Sequence, residues 1–130
     1  MTHFIALVHK EKGSSFGVQF PDVPGCFSAS DDVDQLVANA AEALSLWAED
    51  EALPRPRSVE KIAVDKAVAK ELAAGAFLIQ VPFIESDARV VSANISLERG
   101  TLRAIDEAAK ARKLTRSAFL VQAAKNEIRR

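Results

Sequence analysis

The eight residues VVSANISL, positions 90–97, alternate strictly along an extended chain. Val91, Ala93, Ile95 and Leu97 fall on one side, and Val90, Ser92, Asn94 and Ser96 on the other. Two helix-like segments follow, but no second alternating segment accompanies it at this end of the chain. A buried strand must pair its backbone N–H and C=O groups, because an unpaired one costs about as much as a lost hydrogen bond. The partner of 90–97 therefore has to come from elsewhere, and that requirement constrains the chain more than any other feature.

The first following segment, 99–112, carries Leu102, Ile105, Ala108 and Ala109 on one helical face. The second starts at Thr115, a natural N-cap, and carries Phe119, Leu120, Ala123, Ala124 and Ile128. A piece this short, residues 87–130, does not usually close a core alone. Two copies meet both needs at once: their strands make a two-stranded antiparallel ribbon, and four helices bury one shared core. The missing strand is then a second copy of the same chain, and the expected state is a homodimer, with a tetramer left open.

The front of the chain reads differently. Residues 2–9, THFIALVH, are apolar at nearly every position, as in a strand covered on both faces. Phe16, Val18 and Phe20 alternate with Gly17 and Gln19, which predicts a second strand hairpin-paired to the first. CFSA, 26–29, resumes as a third after an irregular PDVPG turn. Asp32 opens a helix with Val33, Leu36, Val37, Ala40, Leu44 and Trp47 at helical spacing, running to about Glu49. LPRPR, 53–57, is a stiff connector, because proline fixes φ and stops helical continuation. A short helix at about 66–74 closes on Gly75, and AFLIQVPFI, 76–84, supplies a fourth strand with Pro82 marking an edge or exit. The polar stretch 85–88 is the natural boundary, giving domains 1–86 and 87–130.

Charge changes sign at that boundary. Residues 87–130 carry a net +5 and residues 1–86 a net −6, hidden within an overall −1. A basic end on an acidic chain suits nucleic acid, and an acidic front suits a basic protein. A pair of ordinary solvated surfaces would carry the same numbers.

The strand SANISL, the helix after it and the turn KLTRSAF resemble the ribbon-helix-helix family. In such dimers the ribbon enters the major groove of operator DNA. The resemblance assigns base reading to Ser92, Asn94 and Ser96, and phosphate contact to Thr115, Arg116 and Ser117 at the start of the second helix. No Lys or Arg stands mid-strand on the polar side; only Arg89 is near it. A tail that dimerises without touching DNA would need the same apolar row.

The front half, with FPDVPGC at 20–26 and NAAEAL at 39–44, resembles the HicB antitoxin family, and with the tail the resemblance spans nearly the whole chain. It implies an α+β fold: an N-terminal partial RNase H-like β-β-β-α-β domain followed by the dimeric ribbon-helix-helix. It also implies a role: an antitoxin that blocks a small basic RNase toxin of the HicA type and autorepresses its operon by binding operator DNA. The toxin-facing surface would lie around the PDVPG turn and the acidic helix start, at Asp22, Asp31 and Asp32. The alternative is a free-standing ribbon-helix-helix regulator whose front domain binds a small molecule or oligomerises.

Enzymatic and cofactor chemistry finds little support. Metal-dependent RNase H chemistry needs carboxylates converging from strand ends, and FIALVHK supplies none. His3 and His9 share a strand face but lie ~20 Å apart, too far for one metal ion. Asp31, Asp32 and Asp34 suit a helix start. Cys26 suits packing, and a single cysteine excludes an internal disulfide framework. With no cofactor, no leader and no uncharged run near the ~18 residues a membrane span needs, the expectation is a cytoplasmic, non-enzymatic protein.

Overall fold

Strand β1, His3–Lys10, is buried without a break from Phe4 to Val8. That continuity follows from its place inside a sheet with cover on both faces. β2 (Phe16–Gln19) and β4 (Phe77–Pro82) flank it antiparallel, with Val8 opposite Val18 and Ala6 opposite Ile79. β3 (Phe27–Ser30) pairs outside β2, so the order is β3-β2-β1-β4. Pro82 lies at the end of an edge strand, where its missing N–H leaves no gap in a ladder. The computed structural model describes residues 1–85 and 87–130.

Alternation along β1 builds two cores from one strand. Phe4, Ala6 and Val8 meet Leu36, Ala40, Ala41 and Leu44 of helix α1 (Leu36–Asp50) on one face. Ile5 and Leu7 meet Ile62 and Val68 on the other. These last two residues belong to helices α2 (Val59–Ala63) and α3 (Lys66–Ala73). The sequence pattern predicts α3 but assigns no element to 58–63, between the connector and that helix. At five residues α2 is too short for periodicity to register; its start is fixed by Ser58, whose Oγ accepts the Lys61 N–H at 3.3 Å. A 3-10 turn, Val33–Gln35, precedes α1, so the helix begins slightly later than its capping residue suggested. α3 ends on Gly75 at φ 105°, and the Ala76 N–H turns back to the Glu71 carbonyl at 3.0 Å.

By contacts the chain divides into two compact units, Met1–Ser86 and Asp87–Ile128. The second holds α4 (Arg99–Ala111) and α5 (Arg116–Ile128). Between them Lys113 takes φ 57° and the Leu114 N–H reaches the Ala109 carbonyl at 2.8 Å. Among the described residues of this unit Ala109 alone is fully buried. Among the described residues no strand pairs with 90–97; Val90 is 97% exposed, Val91 83% and Ile95 63%. The fold is therefore mixed α+β: a four-stranded antiparallel sheet with helices on both faces, and a helix pair without a core of its own.

Candidate interaction surfaces

The apolar row of the 90–97 arm lines a groove of about 750 Å³ within the second unit. Val91, Ala93, Ile95 and Leu97 face it together with Leu102 and Leu120. Ser92, Asn94 and Ser96 are exposed, although Asn94, like Val90, also borders this groove.

At the start of α5 the Thr115 Oγ1 accepts the Ala118 N–H at 3.1 Å, which fixes the helix start. The Phe119 N–H already donates to the Thr115 carbonyl at 2.9 Å, so the first-turn N–H groups with no acceptor one turn back are those of Arg116 and Ser117, at the positive end of the helix. Arg116, next in line, turns its guanidinium onto α4. Its Nε donates to Asp106 Oδ1 at 2.8 Å and its Nη2 to Asp106 Oδ2 at 2.9 Å. The Asp106 carboxyl is held below the ordinary carboxylate value by that hydrogen bonding, and the Arg116 value is raised in return. Arg116 and Ser117 both line the groove beside the arm. Arg89, just before the arm, is held by Asp87 at 2.7 Å.

In the first unit the PDVPG turn is pinned from inside. Val23 and Cys26 are buried, their N–H groups donating to the Phe20 and Val23 carbonyls at 3.0 and 3.1 Å, and Gly25 adopts φ 92°. Burial pushes the Cys26 thiol up, in keeping with a packing residue rather than a nucleophile. Asp22 points inward too: its side chain is only 10% exposed and engages Arg57 of the connector. Arg57 Nη1 then reaches Asp65 at 3.2 Å. Asp31 and Asp32 are exposed, and Asp32 Oδ1 caps the Asp34 N–H at 2.9 Å.

Two features of this unit escaped the sequence reading. Residues 13–54, spanning β2, β3 and α1, contain no Lys, Arg or His while carrying Asp22, Asp31, Asp32, Asp34, Glu42, Glu49, Asp50 and Glu51. Set in this anionic stretch, Phe27, Val33 and Leu46 remain 67%, 56% and 57% exposed. A running count of cations would have found the first. The second needs the fold, because Val33 and Leu46 sit in a helical pattern that also feeds the core. A separate groove of about 450 Å³ runs between α3 and the PDVPG turn, with Phe20, Pro24, Phe27, Val68 and Glu71 on its walls.

Among the described residues no three His, Cys, Asp or Glu side chains are grouped to hold a metal ion. No helix among them is long and apolar enough to cross a membrane.

Comparison with known proteins bears on the whole chain. Residues 4–124 match the family described as HicB-like antitoxin of bacterial toxin-antitoxin system. The Burkholderia pseudomallei antitoxin HicB is similar in structure, with a TM-score of 0.58 and 31% identity over 96% of this chain and 97% of that one. A chain of a HicA3 and HicB3 toxin-antitoxin complex has a TM-score of 0.51 and 25% identity, over 64% of this chain and 99% of that one. An uncharacterised 14.9 kDa protein from the rep-hol intergenic region of Haemophilus phage HP1 is 45% identical over 49 residues, 34% of this chain and 37% of the phage protein. The match thus spans just over a third of that relative's length. With the family match covering nearly the whole sequence, the chain belongs to the HicB-like antitoxins of bacterial toxin-antitoxin systems.

Proposed function

We propose that this antitoxin uses its two units on partners of opposite charge. The first unit, 1–86, covers a small basic RNase toxin of the HicA type; the second, 87–130, dimerises, binds operator DNA and represses the operon. One observation carries the reading: each unit exposes large apolar side chains, Phe27, Val33 and Leu46 in the first and Val91, Ile95 and Leu97 in the second, on a segment of one net charge, −6 and +5. Exposed apolar side chains supply contact area, while the surrounding charge steers the right partner in and repels the wrong one.

In the first unit Asp31 and Asp32 meet basic toxin residues, and Asp22 contributes by holding the turn beside them. The solved HicA3–HicB3 complex of a relative supports a toxin of this kind as partner. In the second unit the arms of two copies pair into a ribbon that fits the major groove. Ser92, Asn94 and Ser96 then face base edges, and the first turn of α5, from Thr115 to Ser117, faces a phosphate. The chain acts by occlusion in both roles and performs no chemistry of its own.

The decisive experiment is co-expression with the small reading frame beside its gene. Growth should be rescued from that neighbour's toxicity, and the two proteins should co-purify; failure to rescue removes the antitoxin reading for this pair. The second reading, a regulator responding to a small molecule, is favoured by the groove at the PDVPG turn. It requires operator DNA to be bound by the chain alone and released on adding a metabolite.

A further inference from the structure

We propose that Asp106 sets the DNA affinity of the second unit by competing with phosphate for the Arg116 guanidinium. The inference rests on the DNA-binding reading above and goes beyond it by naming a residue that restrains binding. Arg116 is the first residue of α5 and lies beside the unpaired N–H groups of its first turn, where an anion is already favoured. Yet both arms of its fork are on one carboxylate from α4 in near-parallel bidentate contact. Two oxygens of a planar carboxylate and two of a tetrahedral phosphate can each accept an arginine's paired N–H donors, so one can replace the other.

Two consequences follow from the chemistry. The pair is about half exposed on both sides, at 54% and 45%, so it contributes little to holding α4 on α5 and opens readily. While closed, it cancels a cation at the helix start and sets a carboxylate near any approaching phosphate, which repels it. Asp106 thus holds affinity below what the Arg116 cation could supply, and the protein remains releasable from DNA.

The test uses the full-length dimer and two fluorescent duplexes, one carrying the region upstream of its own reading frame and one of equal length with that sequence scrambled, titrated across a series of salt concentrations. D106N should bind both duplexes roughly three- to tenfold more tightly at low salt. The slope of log K against log salt should steepen by about 0.9 for each protomer that gains a phosphate contact. In an R116A background the substitution should lose most of its effect, because the pair is then already broken. Unchanged affinity, or the same gain in R116A, overturns the proposal. So does weaker binding of D106N with a lower melting temperature or a smaller dimer fraction, which would make the pair a fastener of α4 to α5. If the wild-type chain binds neither duplex in a salt-dependent way, the DNA-binding reading falls, and this inference with it.

Discussion

The Asp22 carboxylate holds Arg57 twice, accepting its backbone N–H at 2.7 Å and its Nε–H at 2.6 Å. One side chain thereby ties the PDVPG turn to a connector 35 residues later in the chain. Replacing Asp22 by Ala strands both donors in a partly buried place, so we expect a loss of about 1.5–3 kcal/mol. Asp22→Asn keeps one acceptor oxygen and should lose less. Thermal melts followed by Trp47 fluorescence separate the three proteins; identical melting temperatures would show that the contact is not maintained in solution.

The same network makes a prediction about acid. Hydrogen bonding to Arg57, helped by the Val68 and Ala67 N–H groups, holds the Asp65 carboxyl below its ordinary value of 3.8. Because the folded-state value is the lower one, this contribution is complete above the unfolded value and is lost as pH falls through the folded one. Stability should therefore hold down to about pH 4 and decline below it. In Asp65→Asn that acid decline should be shallower, as measured by urea unfolding across pH. A decline of unchanged steepness would assign the acid sensitivity to other carboxylates.

Ile62 is fully buried although it stands in a helix of only five residues. It anchors the second core together with Ile5, Leu7 and Val68. Ile62→Ala should cost about 2–5 kcal/mol in urea unfolding. Val64, two residues on and 77% exposed, is the control, and Val64→Ala should stay within about 0.5 kcal/mol of the parent. Equal effects at the two positions would mean that α2 does not cover the sheet in solution.

These particulars show what the sequence could and could not reveal. β1, α1 and the end of α3 were legible because their signals are local: an unbroken apolar run, apolar residues at helical spacing and a glycine at a left-handed position. α2 was not, since one turn and a half gives no period to count. The Asp22–Arg57 and Asp106–Arg116 pairs were illegible for another reason. In the sequence each of the four is an ordinary charged residue, and only the turn of the chain brings its partner within reach. The 90–97 arm is the opposite case. Its two-residue alternation is legible from sequence alone and raises the expectation of a partner, and the single chain leaves that apolar row exposed.

If the polar side of the arm reads bases, Asn94 is its most selective member, because an amide can make a bidentate contact with adenine. Asn94→Ala should then lower affinity for the operator by about 1–3 kcal/mol, the usual worth of such a contact. Binding to unrelated DNA, dimer mass and toxin neutralisation should stay unchanged. Competition titrations with operator and unrelated duplexes decide it; equal loss on both would move Asn94 from base reading to general affinity.

Dimerisation itself is tested at Ile95, in the middle of the apolar row and 63% exposed in the single chain. Burying one isoleucine side chain is worth about 1.5–3 kcal/mol, and a symmetric dimer buries two, so about 3–6 kcal/mol depends on this position. Ile95→Lys removes that gain and adds two like charges at the interface, so the dissociation constant should rise by at least ~100-fold. At micromolar concentration sedimentation should then report single chains. The second unit should lose helical signal, because a unit with Ala109 as its one fully buried described residue has no core to fall back on. The first unit, with its two cores around β1, should keep its fold and its neutralising activity. A variant that remains dimeric would show that the arm is not what joins the two copies, and a monomer whose α4 and α5 stay fully helical would show that the second unit holds its helices without a partner.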